Sequence, residues 1–150
     1  MDKAETELVE GLGSFDCLGL FGGTCGVPTP EWKHAFRASW RAPWNALDLT
    51  ATWRYVDAVE LETTSDNPQL NGPVPATDRR FPSMSYIDLT GAVTLFENYT
   101  LRLGVNNLTD KDPPLVGQSN CPAGSCNGNT FSQAYDVLGR QYFATVTVNF

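Results

Sequence analysis

The chain of 150 residues is poor in several things, and each scarcity excludes a class of function. Ten Lys and Arg stand against seventeen Asp and Glu, a formal charge of −7, so the cationic footprint of a non-specific nucleic-acid binder is missing. Histidine occurs once, at His34, which leaves no second imidazole for a metal centre or proton relay. No apolar run approaches the roughly 18 residues of a membrane-crossing helix. The opening MDKAETELVEG has neither a basic n-region nor an apolar h-region, so no secretory signal is expected there. Neither a Gly-x-Ser-x-Gly elbow nor a phosphate-binding glycine loop occurs.

What is present is organised by proline and glycine. All ten prolines, and eleven of thirteen glycines, fall outside five stretches rich in Thr, Val, Trp, Tyr and Leu, the residues that suit a pleated strand. These stretches predict strands at about 32–42, 46–56, 84–96, 99–107 and 140–150. Each alternates with a period of two. Tyr142, Ala144, Val146, Val148 and Phe150 share one face of the last, with Phe143 breaking the pattern on the other. Trp53 and Tyr55 alternate with Thr52 and Arg54, and Leu101, Leu103 and Val105 alternate with Arg102, Gly104 and Asn106. No helical period competes over a comparable length.

The connections alternate too. Pro43–Trp44 and Glu97–Asn98 are tight turns, whereas 11–31, 57–83 and 108–139 are long and rich in Gly, Pro, Asp and Asn. Short turns on one side and long loops on the other suit a membrane β-barrel, in which strands of about 9–11 residues cross. A β-sandwich binding module alternates as well. It gives no reason for large rings such as Trp32, Trp40, Trp53, Tyr55, Tyr99 and Tyr142 to gather on the apolar face near strand ends, with Leu, Val and Ala between them. Interfacial aromatic girdles do.

Two stretches carry a resemblance. LRLGVNNLTDKDPP, Leu101 to Pro114, followed by YDVLGRQYFATVTVNF, Tyr135 to Phe150, resembles the closing strands of TonB-dependent outer-membrane receptors. The positions that match are Gly104, Val105, Asn107, Leu108 and Asp110, then Tyr135, Asp136, Gly139 and Arg140, in order and in spacing. Asp16 to Val56 is similar to upstream strands of a cysteine-bearing subset of the family. The resemblance implies an all-β fold, an antiparallel meander of about five transmembrane strands that closes a barrel of about 22 strands. Residues 1–31 then form an N-terminal segment and external loop, and 32–150 the C-terminal strands with external loops 57–83 and 108–139. Five strands cannot close a barrel, so the resemblance implies a C-terminal piece of a longer receptor whose plug lies elsewhere.

The resemblance further implies an outer-membrane location, with the C-terminus periplasmic and the long loops extracellular. Its partners would be outer-membrane lipid, the remaining barrel and plug, the TonB energy-coupling complex, and a small-molecule ligand: a ferric siderophore, a cobalamin or a glycan. The barrel assembly machinery would read the terminal strand at Tyr142, Ala144, Val146, Val148 and Phe150. No cofactor and no enzymatic activity are expected. In an oxidising exterior, Cys17 with Cys25 and Cys121 with Cys126 are expected to pair locally as disulfides. A four-cysteine zinc site is the alternative, but it lacks any Cys-x-x-Cys pair.

Lys33, Arg37, Arg41, Arg54 and Arg102 fall on the polar face. They form either a basic wall for an anionic ligand or a charge balance with Asp48, Asp88 and a plug. His34 is expected at the rim of the apolar face. A hydrolase pairing of His34 with Asp48 is disfavoured, because the two lie near opposite ends and on opposite faces. The acidic loop residues Asp57, Glu60, Glu62, Asp66, Asp110 and Asp112 would bind Ca²⁺, meet bridged lipopolysaccharide, or simply be solvated.

Overall fold

The computed structural model describes residues 4–6, 14–43, 47–75, 77–95, 98–121 and 124–149. Ten strands follow in chain order: β1 (Glu5–Thr6), β2 (Phe15–Asp16), β3 (Leu20–Phe21), β4 (Lys33–Arg41), β5 (Leu47–Val56), β6 (Val59–Leu61), β7 (Arg80–Phe81), β8 (Met84–Leu95), β9 (Tyr99–Asn106) and β10 (Gln141–Val148). Five form one sheet in the order β10-β9-β8-β5-β4. All five strands read from the alternation are there; among the described residues β4 lacks Trp32 and Ala42, β9 lacks Asn107 and β10 lacks Arg140 and Asn149, while residues 46, 96 and 150 lie outside the described residues.

The ends have physical causes. The N–H of Ala42 donates to the Leu47 carbonyl (2.9 Å), closing the β4–β5 turn. Asn107 takes a left-handed φ of 52°, which carries the chain off the β9 ladder. Trp44, Phe96, Glu97 and Phe150 lie outside the described residues.

The chain divides into two units. One comprises residues 34–55, 85–112 and 138–150 and holds most of the five-stranded sheet. The register of its closing strands keeps like with like. Tyr142, Ala144, Val146 and Val148 face Val105, Leu103, Leu101 and Tyr99, while Gln141, Phe143, Thr145 and Thr147 face Asn106, Gly104, Arg102 and Thr100. Strand β8 continues both rows, with Leu89, Gly91 and Val93 beside Val105, Leu103 and Leu101. The apolar face is bare: Trp40, Leu103, Tyr142 and Val146 are 51%, 52%, 75% and 65% exposed. In a β-sandwich this row would be the buried core.

The other unit comprises residues 1–33, 56–84 and 113–137, the segments expected to be long loops. They are not open coil. Strand β3 pairs in parallel with β6, and β6 pairs antiparallel with β7. Phe21 stacks on Phe81 with ring centroids 4.1 Å apart, and Phe131 meets Phe21 edge-on at 5.9 Å. Tyr135 meets Phe81 edge-on at 6.1 Å. Val59 and Leu61 are buried, and Phe15, Cys17 and Leu70 form a second cluster against Leu20 and Cys25. Most of the buried hydrophobic residues belong to this loop unit, while most of the large exposed ones belong to the sheet. A water-soluble domain has the reverse.

Candidate functional site

Charge on the polar face of the sheet is partly cancelled within it. The Nε and Nη2 of Arg54 donate to the two carboxylate oxygens of Asp88 at 2.7 and 2.9 Å, the planar two-bond geometry that guanidinium favours. Arg54 also lies over the Tyr86 ring, 5.1 Å from its centroid. Asp88 accepts a third bond from the Asn107 N–H at 2.9 Å. Nearer the turns, Arg41 Nε donates to Asp48 at 2.7 Å, and the Ser39 and Thr50 hydroxyls meet at 3.0 Å. Arg102 stands between Thr145 on β10 and Ala92 on β8, and among the described residues neither it nor Arg37 has an acidic partner. Lys33 begins β4. The structure therefore places two of the five predicted cations in ion pairs with the two carboxylates of the strands.

The matched motif becomes a pair of ties where β9 ends and β10 begins. The fully buried Asn107 uses its side chain as a piece of backbone: Oδ1 accepts the Lys111 N–H and Nδ2 donates to the Lys111 carbonyl, both at 2.9 Å. Asp110 then reaches across 30 residues. It accepts the Arg140 N–H at Oδ1 (2.9 Å) and the Arg140 guanidinium at Oδ2 (3.0 Å). The Arg140 amide, followed by its guanidinium, holds the Asp110 carboxyl below the ordinary carboxylate range. Gly139 has φ +65°, and a Cβ there would come within 3.2 Å of Asp110 Oδ1, so both conformation and space favour glycine. Leu108 donates its N–H to Ile87. Tyr135 belongs to the aromatic core of the loop unit, with the half-buried Asp136 beside it in sequence.

Phe143, the break in alternation, sits over Gly104 on the polar face, so close that any Cβ at 104 would collide with the ring. An aromatic covering a strand glycine shields backbone that has no side chain of its own.

In the loop unit all four cysteines are oxidised, Cys17 to Cys25 and Cys121 to Cys126, with Cα separations of 5.5 and 5.9 Å. No thiolate is left for zinc. Two carboxylates of the loops are ties: Glu62, for which Ca²⁺, lipopolysaccharide and solvation stood open, and Asp78, which the sequence did not single out. Glu62, 6% exposed, accepts the N–H of Thr24 at both oxygens (2.9 and 3.0 Å) and that of Cys25 at 2.6 Å. Gly22 lets it approach, since a Cβ there would overlap the Glu62 side chain. Asp78 accepts the Gly117 N–H at 2.6 Å. Glu62 thus binds the first loop to the second, and Asp78 the second to the third. Neither was legible beforehand, because a lone acid in a polar loop carries no sequence signal of burial. Ca²⁺ binding by Glu62 would require breaking those bonds.

His34 lies on the apolar face, 5.3 Å from the Tyr55 ring and 4.7 Å from Trp53. Asp48 is held by Arg41 at the turn end of β5, so the structure does not bring the discounted hydrolase pair together.

An alternating antiparallel meander with one bare apolar face has, as a class, the fold of a stretch of β-barrel wall. No protein-family model matches the chain, and no curated protein matches it by sequence. By structure it is similar to the ferric enterobactin receptor of Pseudomonas aeruginosa, with a TM-score of 0.56 and 22% identity over 77% of this chain. The chain spans 16% of that receptor's length, so the likeness is to one segment of its fold.

Proposed function

We propose that this chain is the closing segment of the barrel of a TonB-dependent outer-membrane receptor, which imports a scarce nutrient and is not an enzyme. The observation that carries the proposal is the inverted distribution of apolar surface: the sheet leaves its aliphatic and aromatic face uncovered, while the loops hold the core. Lipid is the solvent in which such a face is stable. The chain motif, the fold shared with a segment of a ferric enterobactin receptor and the folded loops support the same reading. In the intact receptor the rest of the barrel would pair with the outer strands, and a plug would meet Arg37 and Arg102 on the polar face. The loops would then be extracellular and the turns periplasmic. A ferric siderophore is the ligand class favoured by the structural likeness.

The test begins with solution behaviour. The chain should be monodisperse only with detergent or lipid, and a monodisperse species in plain buffer would exclude lipid as its solvent. Deleting the gene should then reduce uptake of ferric siderophores under iron limitation. Unchanged iron uptake together with reduced cobalamin or glycan uptake would move the ligand assignment but leave the receptor.

A further inference from the structure

The sequence contains two Asn-Gly dipeptides, Asn71–Gly72 and Asn127–Gly128, and the structure treats them differently. An Asn-Gly pair is the most open to a backbone reaction, because glycine offers no side chain to block its own amide nitrogen. That nitrogen attacks the preceding carboxamide carbon, the C–N bond to the side-chain amide breaks, and ammonia leaves. The cyclic imide so formed takes up one water and opens to Asp or to isoaspartate, with no oxidant or reductant involved.

At Asn71 both reactants are occupied. The Gly72 N–H donates to the Thr63 carbonyl at 3.2 Å, and Asn71 Nδ2 donates to the Ser65 carbonyl at 2.8 Å. The Asn71 N–H is bound as well, to the Asn67 carbonyl at 2.8 Å. The attacking nitrogen and the carbon it must reach are therefore anchored to two different groups.

At Asn127 they are not. Gly128 and Asn129 have φ of 63° and 59°, the two left-handed positions of a tight hairpin turn. The main-chain bonds of Asn127 both go to Thr130, at 2.9 and 3.3 Å. Among the described residues nothing binds the Gly128 N–H or the Asn127 carboxamide, and nothing lies within 4 Å of where a Gly128 Cβ would stand. The Asn127 side chain is exposed.

We propose that Asn127 is a deamidation site of the folded protein and that Asn71 is protected by its hydrogen bonds. The product alters the third loop where it is anchored. Asn127 adjoins Cys126 of a disulfide, and the same turn holds Asn129, whose carbonyl accepts the Val116 N–H, and Thr130, whose hydroxyl donates to Pro114. Isoaspartate lengthens the backbone inside that hairpin, and Asp adds a negative charge to it. The proposal concerns chemistry of this chain alone and does not depend on the receptor assignment.

The full chain, folded in detergent, is held at mildly alkaline pH and mapped by peptide mass spectrometry, with isoaspartyl methyltransferase as a second readout. The Asn127 peptide should convert several-fold faster than the Asn71 peptide, and unfolding in urea should bring the two rates together. Asn127→Gln should remove the fast component and leave the slow one. Equal rates in the folded chain, a faster Asn71, or an Asn127 that reacts only after unfolding would each overturn the proposal.

Discussion

At the residue scale, side-chain carboxylates tie together segments far apart in the chain: Glu62 to Thr24 and Cys25, Asp78 to Gly117, Asp88 to Arg54 and Asp110 to Arg140. Glu62 is the most exposed to test, because it is buried and accepts three backbone bonds. Glu62→Gln replaces one acceptor oxygen with a donor facing other donors, which costs about 1–3 kcal/mol for a buried unsatisfied group. Hydrogen exchange at Thr24 and Cys25 should accelerate while exchange at the β9–β10 ladder stays unchanged. Asp110 supplies a pH signature. Its folded-state carboxyl titrates below its unfolded value of about 3.9, so its contribution is complete above that value and is lost as the pH falls through the folded one. The Arg140 amide should therefore keep its protection unchanged from neutrality down to about pH 5 and lose it only in stronger acid, and Asp110→Asn should abolish the acid step. The motif containing these residues was legible in sequence, but its work was not. Asp110 and Arg140 lie 30 positions apart, and no periodicity tells that one receives the other's N–H.

At the scale of elements, two devices fix the pairing of β9 with β10: the Asp110–Arg140 tie, and the ring of Phe143 over Gly104. A slip of one residue would turn every apolar side chain of β10 onto the polar face. Gly104→Ala would force the ring aside at about 1–3 kcal/mol, the usual cost of overpacking. Phe143→Ala would uncover the backbone, and since both changes destroy one contact their effects should fall short of adding. Urea unfolding of the two single variants and the double variant measures this. The disulfides should differ as well. Removing Cys17–Cys25 opens the longer loop, at about 2–3 kcal/mol in the chain-entropy view, and also disturbs the Phe15–Leu70 cluster. Removing Cys121–Cys126 should lower the melting temperature less.

At the scale of the whole molecule, the prediction concerns which face meets lipid. Ala144→Arg places a cation in the middle of the apolar face and should cost about 2–4 kcal/mol in a bilayer. Thr145→Arg, one residue away on the polar face beside Arg102, should leave folding into lipid nearly unchanged. Equal penalties would deny the sidedness on which the functional proposal rests.

Alternation is a local property, so the sequence by itself determined the five strands, their two faces and the turns between them; each residue's side is set by the pleat of its own strand. The pairing of neighbouring cysteines was local in the same sense. What only the tertiary structure decided were contacts between segments far apart in the chain. The three long connections share a core through Phe21, Phe81 and Phe131, two acids tie them, and two arginines of the polar face are already neutralised. Such contacts have no period, because loop closure brings together residues whose spacing along the chain is arbitrary. Gly, Pro and Asp in those connections therefore read as open loop, where the chain buries most of its hydrophobic core among the described residues.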